Sequence, residues 1–132
     1  MLKHTFNVKL ATKIHPLMHT KRETDMNDQE RQQFNERLLT LTIDNNEVLY
    51  YRVMKRANKA MHEPASNAVM RFTVWLKRFS KTTVKRANPT DLTVSVLNNI
   101  DYESVAYDYV DEAYEHYTYK RDRGKITLAD SF

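Results

Sequence analysis

The chain has 132 residues, of which 41% are hydrophobic and 29% charged, so it can form one globular domain that buries a core without disulfide bonds. It contains no cysteine and a single glycine, which excludes disulfide frameworks, thiolate zinc sites and glycine-rich phosphate loops and disfavours hairpin-rich folds. The formal net charge of +4 suits a polyanionic partner, and no apolar run approaches the roughly 18 residues of a membrane span.

The first predicted element is a β-strand over residues 5–14, where hydrophobic residues from Phe6 to Ile14 alternate with polar or small ones. A lone strand needs a partner. The partner could be the alternating segment 92–96, a hairpin over 39–53 or a second copy of the chain. In the last case, this strand would be a site of homo-oligomer formation.

Two capping sequences predict two helices in the middle of the chain, over about 28–43 and 45–62. Each places a side-chain oxygen three residues before a glutamate, from Asn27 to Glu30 and from Asp44 to Glu47. Residues 39–53 leave an alternative open, since the segments on either side of the turn could instead pair as a β-hairpin.

The next predicted helix covers about 66–80, with Ser66 as its N-cap and a hydrophobic face that includes Trp75. A basic loop over 81–88 follows. A short element over 90–98 comes next, and its sequence fits either a helix or a strand.

The last predicted helix covers about 102–123, with Asp101 as its N-cap and Gly124 at the position of a left-handed C-cap. A C-terminal tail, 124–132, follows it. Acidic residues early in this helix and basic residues late in it complement the helix dipole. Its apolar stripe consists of Val105, Ala106, Tyr109, Val110, Ala113, Tyr114 and Tyr117.

These elements predict a mainly α protein, a single domain over 1–132 with four or five amphipathic helices and an N-terminal β-strand. If the ambiguous segments are strands, the fold is instead α+β with a small antiparallel sheet.

Charge is sorted along the chain. Residues 52–86 carry ten basic residues and one acid, Glu63, whereas residues 91–115 carry seven acids and no lysine or arginine. Such sorting bears on partners and association and not on fold.

The basic block predicts a surface that binds nucleic acid or a nucleoprotein complex through phosphate contacts, without strong sequence specificity. Helical spacing places its members on the polar sides of two neighbouring helices and on the loop after them. The candidate contact residues are Arg52, Lys55, Arg56, Lys59, Arg71, Lys77, Arg78, Lys81, Lys85 and Arg86.

The acidic, tyrosine-rich last helix supports an alternative, a protein-interaction module such as an inhibitor, adaptor or assembly subunit that engages a basic partner. The same acids could instead neutralise the basic helices within the molecule. The candidate interface residues are Glu103, Tyr107, Asp108, Asp111, Glu115 and Tyr119.

No catalytic signature is present, so we expect a non-catalytic binding protein without a cofactor. His15 and His19 have the spacing of two metal ligands on a helix, but the nearby Pro16 disfavours a helix there and no third ligand is fixed by spacing, so we expect no metal site. The absence of cysteine favours an intracellular, cytoplasmic location.

Overall fold

The computed structural model describes residues 25–122, and this part of the chain is mainly helical with no β-strand. The predicted mainly α class is confirmed. The predicted strand over 5–14, the two histidines at 15 and 19, and the tail over 124–132 lie outside the described residues.

Two long helices, α1 (Asp28–Asp44) and α2 (Glu47–His62), fill the first half of the described chain, so the hairpin alternative over 39–53 is wrong. The predicted capping box starts α1. Asn27 Oδ1 accepts a hydrogen bond from the Glu30 backbone N–H at 2.8 Å, and Glu30 Oε1 accepts one from the Asn27 N–H at 3.3 Å. Local hydrogen bonding thus fixes the point at which this helix begins.

Helix α3 (Ala68–Phe79) continues without a break into a π-helical segment, Ser80–Val84, and a last helical stretch, Lys85–Ala87. The predicted basic loop over 81–88 is therefore wrong. Ser80 and Val84 are fully buried, so the residues that follow α3 join a core instead of forming a solvated connection.

The remaining helices are α4 (Val94–Asn98) and α5 (Tyr102–Asp122). The strand alternative for the segment before Asn98 is wrong, and α4 begins later than predicted. Its N-cap is Thr93, whose hydroxyl accepts a hydrogen bond from the Val96 N–H at 3.2 Å.

The described residues divide into two compact units. The first unit contains 25–47 and 80–101, and the second contains 48–79 and 102–122. The single domain expected from the sequence stays a prediction.

In the first unit, α1 and α4 pack against the π-helical segment. Helical spacing in the sequence predicts Phe34, Leu38 and Leu41 on the inner face of α1, but these residues are only half-buried. The buried face is instead Asn35, Leu39 and Ile43. Asn35 takes the inward position because its side-chain amide donates to the Asn99 carbonyl at 3.3 Å. A polar residue therefore shares this core by satisfying its hydrogen bond.

In the second unit, α3 packs against α5, and α2 contributes the third helix. The hydrophobic faces predicted for α3 and α5 supply the core together with α2, with two corrections. Trp75 of α3 is only half-buried. Tyr114 is 55% exposed and does not pack in the core of α5. The buried residues of this unit are Leu49, Val53, Met54, Ala57, Ala60, Ala68, Phe72, Leu76, Phe79, Tyr102, Val105, Ala106, Tyr109 and Ala113.

Candidate nucleic-acid interface

Helix α2 turns its basic residues to solvent because its hydrophobic residues occupy the opposite side. Val53, Met54 and Ala57 are buried. The spacing of 3.6 residues per turn leaves the positions between them outside. The exposed cations of α2 are Arg52, Lys55, Arg56 and Lys59.

Helix α3 adds three exposed cations to the same unit, Arg71, Lys77 and Arg78. Seven of the ten predicted contact residues therefore belong to the second unit. The other three, Lys81, Lys85 and Arg86, belong to the first unit, where Lys81 and Lys85 are half-buried. The seven exposed cations of α2 and α3 form the basic face.

Aromatic rings of α3 hold two arginines of α2 in place. The rings of Trp75 and Phe79 stack with centroids 4.5 Å apart, and Phe72 stacks on Trp75 at 6.1 Å. The Arg52 guanidinium lies over the Phe79 ring at 4.7 Å, and that of Arg56 lies over the Trp75 ring at 4.9 Å. Each such contact is worth about 0.5–1 kcal/mol at an exposed site, so the two guanidinium groups are oriented before any ligand arrives.

An open groove runs along α3 beside these stacks. Three arginines, Arg56, Arg71 and Arg78, surround an apolar floor. The floor includes Met70 and Val74, which are 62% and 54% exposed, and the half-buried Trp75. We call this the arginine groove; Asn67 completes its lining.

A smaller cavity lies between α2 and α3. It encloses about 120 Å³ and is lined by Arg56, Lys59, Arg71, Glu63 and neighbouring apolar residues. Sites for organic ligands usually exceed about 300 Å³. The small volume does not fit a cofactor, and the Glu63 carboxylate, which pairs with Arg71, offsets part of the positive charge of the lining.

One acid reduces the charge of this surface. Arg71 forms an ion pair with Glu63 and donates a hydrogen bond to the Asn67 side-chain oxygen. Within residues 25–122, by contrast, Arg52, Lys55, Arg56, Lys59 and Lys77 form no ion pair. Ion pairs within this part of the chain therefore leave most of the basic face without a neutralising partner.

The acidic alternative surface lies on α5. All six of its predicted residues are exposed: Glu103, Tyr107, Asp108, Asp111, Glu115 and Tyr119. Partial burial and the neighbouring Asp111 charge raise the pKa of the Asp108 carboxyl. The like charges lie one helical turn apart, so a cationic partner would relieve their repulsion.

Another acid of α5 faces inward. The Tyr50 hydroxyl of α2 donates a hydrogen bond to the Glu112 carboxylate. Between the same two helices, the rings of His62 of α2 and Tyr117 of α5 meet edge to face with centroids 4.7 Å apart. Polar and aromatic contacts of this kind hold α2 against α5 within the second unit.

Sequence reasoning missed the apolar part of the groove. The spacing predicts Trp75 on the hydrophobic face of α3, whereas it is half-buried at the edge of the arginine groove, and the same spacing gives no role to Met70 and Val74. A signal was available, because these two residues are one turn apart and share the polar side of the helix with Arg71 and Arg78. Apolar residues on a charged helix face indicate a contact surface.

No protein-family model, curated protein or solved structure matches this chain. No helix within residues 25–122 is long and apolar enough to cross a membrane. The same part of the chain holds no group of three or more metal-ligating side chains. The case for a function rests on the basic face itself.

Proposed function

We propose that this protein is a non-catalytic binding protein that engages nucleic acid, free or in a nucleoprotein complex, through the basic face of α2 and α3. The observation that carries the proposal is the exposure of seven lysine and arginine side chains on two neighbouring helices of one compact unit. Such a surface releases condensed counterions from a phosphate backbone and gains affinity from their release.

The chemistry of the basic face favours backbone contacts over base recognition. Lys55, Lys59 and Lys77 are point charges on flexible stems and carry no sequence information when they bind phosphate. The oriented guanidinium groups of Arg52 and Arg56 can each bind a phosphate with two hydrogen bonds. We therefore expect affinity with weak sequence dependence.

The direct test is a titration of a fluorescently labelled oligonucleotide with the full chain at about 50 mM and about 200 mM salt, followed by anisotropy. Oligonucleotides of unrelated sequence should bind with similar affinity, and binding should weaken steeply at the higher salt. If no oligonucleotide, of DNA or RNA, binds even at the lower salt, the proposal is wrong.

The second candidate is a protein-interaction module that uses α5, and one observation favours it. Tyr107 and Tyr119 are exposed together with the acids around them, and exposed tyrosines are enriched in protein interfaces. A basic protein partner would cover the tyrosine rings and neutralise the acids.

A labelled lysine-rich peptide tests the second candidate. We expect it to bind the wild-type chain and to bind a Tyr107→Ala/Asp108→Asn/Asp111→Asn variant less tightly. Tyr51→Ala, which removes an exposed tyrosine of α2, is the control and should bind like wild type. Equal binding by all three proteins would argue against this candidate.

A further inference from the structure

The arginine groove differs from the rest of the basic face because its floor is apolar. Met70 and Val74 lie on the solvent side of α3, more than half exposed, beside the edge of Trp75. Arg56, Arg71 and Arg78 line the same groove. Met70 and Val74 are adjacent on the helix and, with Trp75, form one apolar patch between arginines, the kind of patch that marks a ligand-binding groove.

We infer that the arginine groove binds single-stranded nucleic acid, with phosphates on the arginines and unstacked bases on the apolar floor. The inference rests on the proposed function and names the class of nucleic acid. A duplex turns its phosphates and sugars outward and keeps its bases stacked inside, so a duplex lying on this face would leave Met70 and Val74 without apolar contacts. A single strand presents phosphates and base faces together.

Arg56 has a particular part in this arrangement. Its guanidinium already lies over the Trp75 ring, which holds the planar group at the rim of the groove. Guanidinium planes and aromatic rings are the surfaces on which proteins stack unpaired bases. Because the Trp75 ring is itself stacked on Phe79, its conformation is fixed before the strand arrives.

The chain supplies its own probe of this groove. Trp75 is the only tryptophan in the sequence and lines the groove directly. Its emission therefore reports on ligands that reach the groove or the Arg56 guanidinium over the ring. A single strand that places bases against the floor should quench or shift this emission.

The experiment titrates the full chain with a single strand and with the duplex of the same sequence at one salt concentration, following both anisotropy and Trp75 emission. We expect the single strand to bind more tightly and to change the emission. We also expect the double variant Met70→Ser/Val74→Ser to weaken single-strand binding about tenfold or more and to leave duplex binding unchanged. The matched control is Val48→Ser, which makes an equally exposed apolar residue of α2 polar outside the groove.

The outcomes separate the two proposals. If neither nucleic acid binds, the proposed function fails. If the duplex binds as tightly as the single strand and the double variant behaves like wild type, the function stands and the single-strand inference is overturned. If a polyglutamate chain competes for the groove as effectively as the single strand, the groove recognises an acidic polymer in general, and the inference is again overturned.

Discussion

The buried hydroxyl of Ser80 lowers the stability of the fold. It is fully buried in the π-helical segment, and within residues 25–122 its hydroxyl oxygen has no hydrogen-bond partner. A buried polar group without a partner costs about 1–3 kcal/mol, so the hydroxyl reduces the stability of the fold.

We expect Ser80→Ala to raise the free energy of unfolding by about 1 kcal/mol, measured by urea denaturation. Ser95→Ala, at an exposed position of α4, controls for the higher helix propensity of alanine. A loss of stability in Ser80→Ala would mean that the hydroxyl is satisfied and contributes to the fold.

Burial of the Tyr102 side chain makes the free energy of unfolding depend on pH. Burial raises the pKa of its hydroxyl from 10.0 to about 12. Between these two values the unfolded chain has released a proton that the folded chain still holds, so the free energy of unfolding falls as pH rises through this window. The slope from this one group is at most about 1.4 kcal/mol per pH unit.

We therefore expect stability to decline more steeply from pH 10 to pH 12 in wild type than in Tyr102→Phe, measured by denaturant titration at each pH. The difference between the two proteins isolates Tyr102 from the other tyrosines and the lysines. Parallel curves would show that Tyr102 ionises in the folded state as readily as in the unfolded one.

At the scale of single helices, α1 depends on its cap. Asn27 and Glu30 each accept a hydrogen bond from the other's backbone N–H, which satisfies two donors at the start of the helix. The last turn of α1 has no basic residue to offset the dipole, so its stability relies more on this end.

Asn27→Ala should lower the free energy of unfolding by about 1 kcal/mol in a thermal or urea melt, because one helix donor loses its acceptor. Asn27→Ser keeps an acceptor at the cap and should stay close to wild type. If serine and alanine are equally destabilising, the cap hydrogen bond is not the cause.

The sequence predicted helices best where local chemistry decides them. The capping box of α1 depends only on neighbouring residues, and the structure confirms it. Helix α2 also forms, but Asp44, its expected cap, is the last residue of α1. The continuation through Ser80–Val84 was missed because Ser-Lys-Thr-Thr has polar composition. Only the burial of Ser80 and Val84 by other helices makes it part of a core.

The charged residues of the candidate site could be predicted from the sequence, whereas the apolar floor of the arginine groove was missed. A lysine or arginine on the polar face of an amphipathic helix points to solvent, so the exposure of the basic residues of α2 and α3 could be predicted. The half-burial of Trp75 could not, because it depends on how α2 approaches α3 and on the guanidinium that covers the ring.

At the scale of the whole molecule, charge sorting has two separate causes. Part of the acidic block is explained by the helix dipole, because α5 has an acid in its first turn and bases in its last turn. The basic block has no such local cause, because its exposed charges continue through α2 and α3. Of the five cations that form no ion pair within residues 25–122, Arg52 and Arg56 lie over the rings of Phe79 and Trp75 at 4.7 and 4.9 Å, and Lys55 lies farther, at 5.9 Å, from the Tyr51 ring.

The central claim is tested most directly by the salt dependence of oligonucleotide binding in wild type, in Arg52→Gln/Arg56→Gln and in a control, Arg31→Gln/Arg37→Gln. Both variants lose two positive charges, but the control residues belong to α1 in the first unit. We predict that the slope of log K against log salt becomes shallower by about 0.7 for each lost phosphate contact in the first variant and is unchanged in the control. Equal slopes in all three proteins, or the same change in both variants, would contradict the assignment of phosphate binding to the basic face.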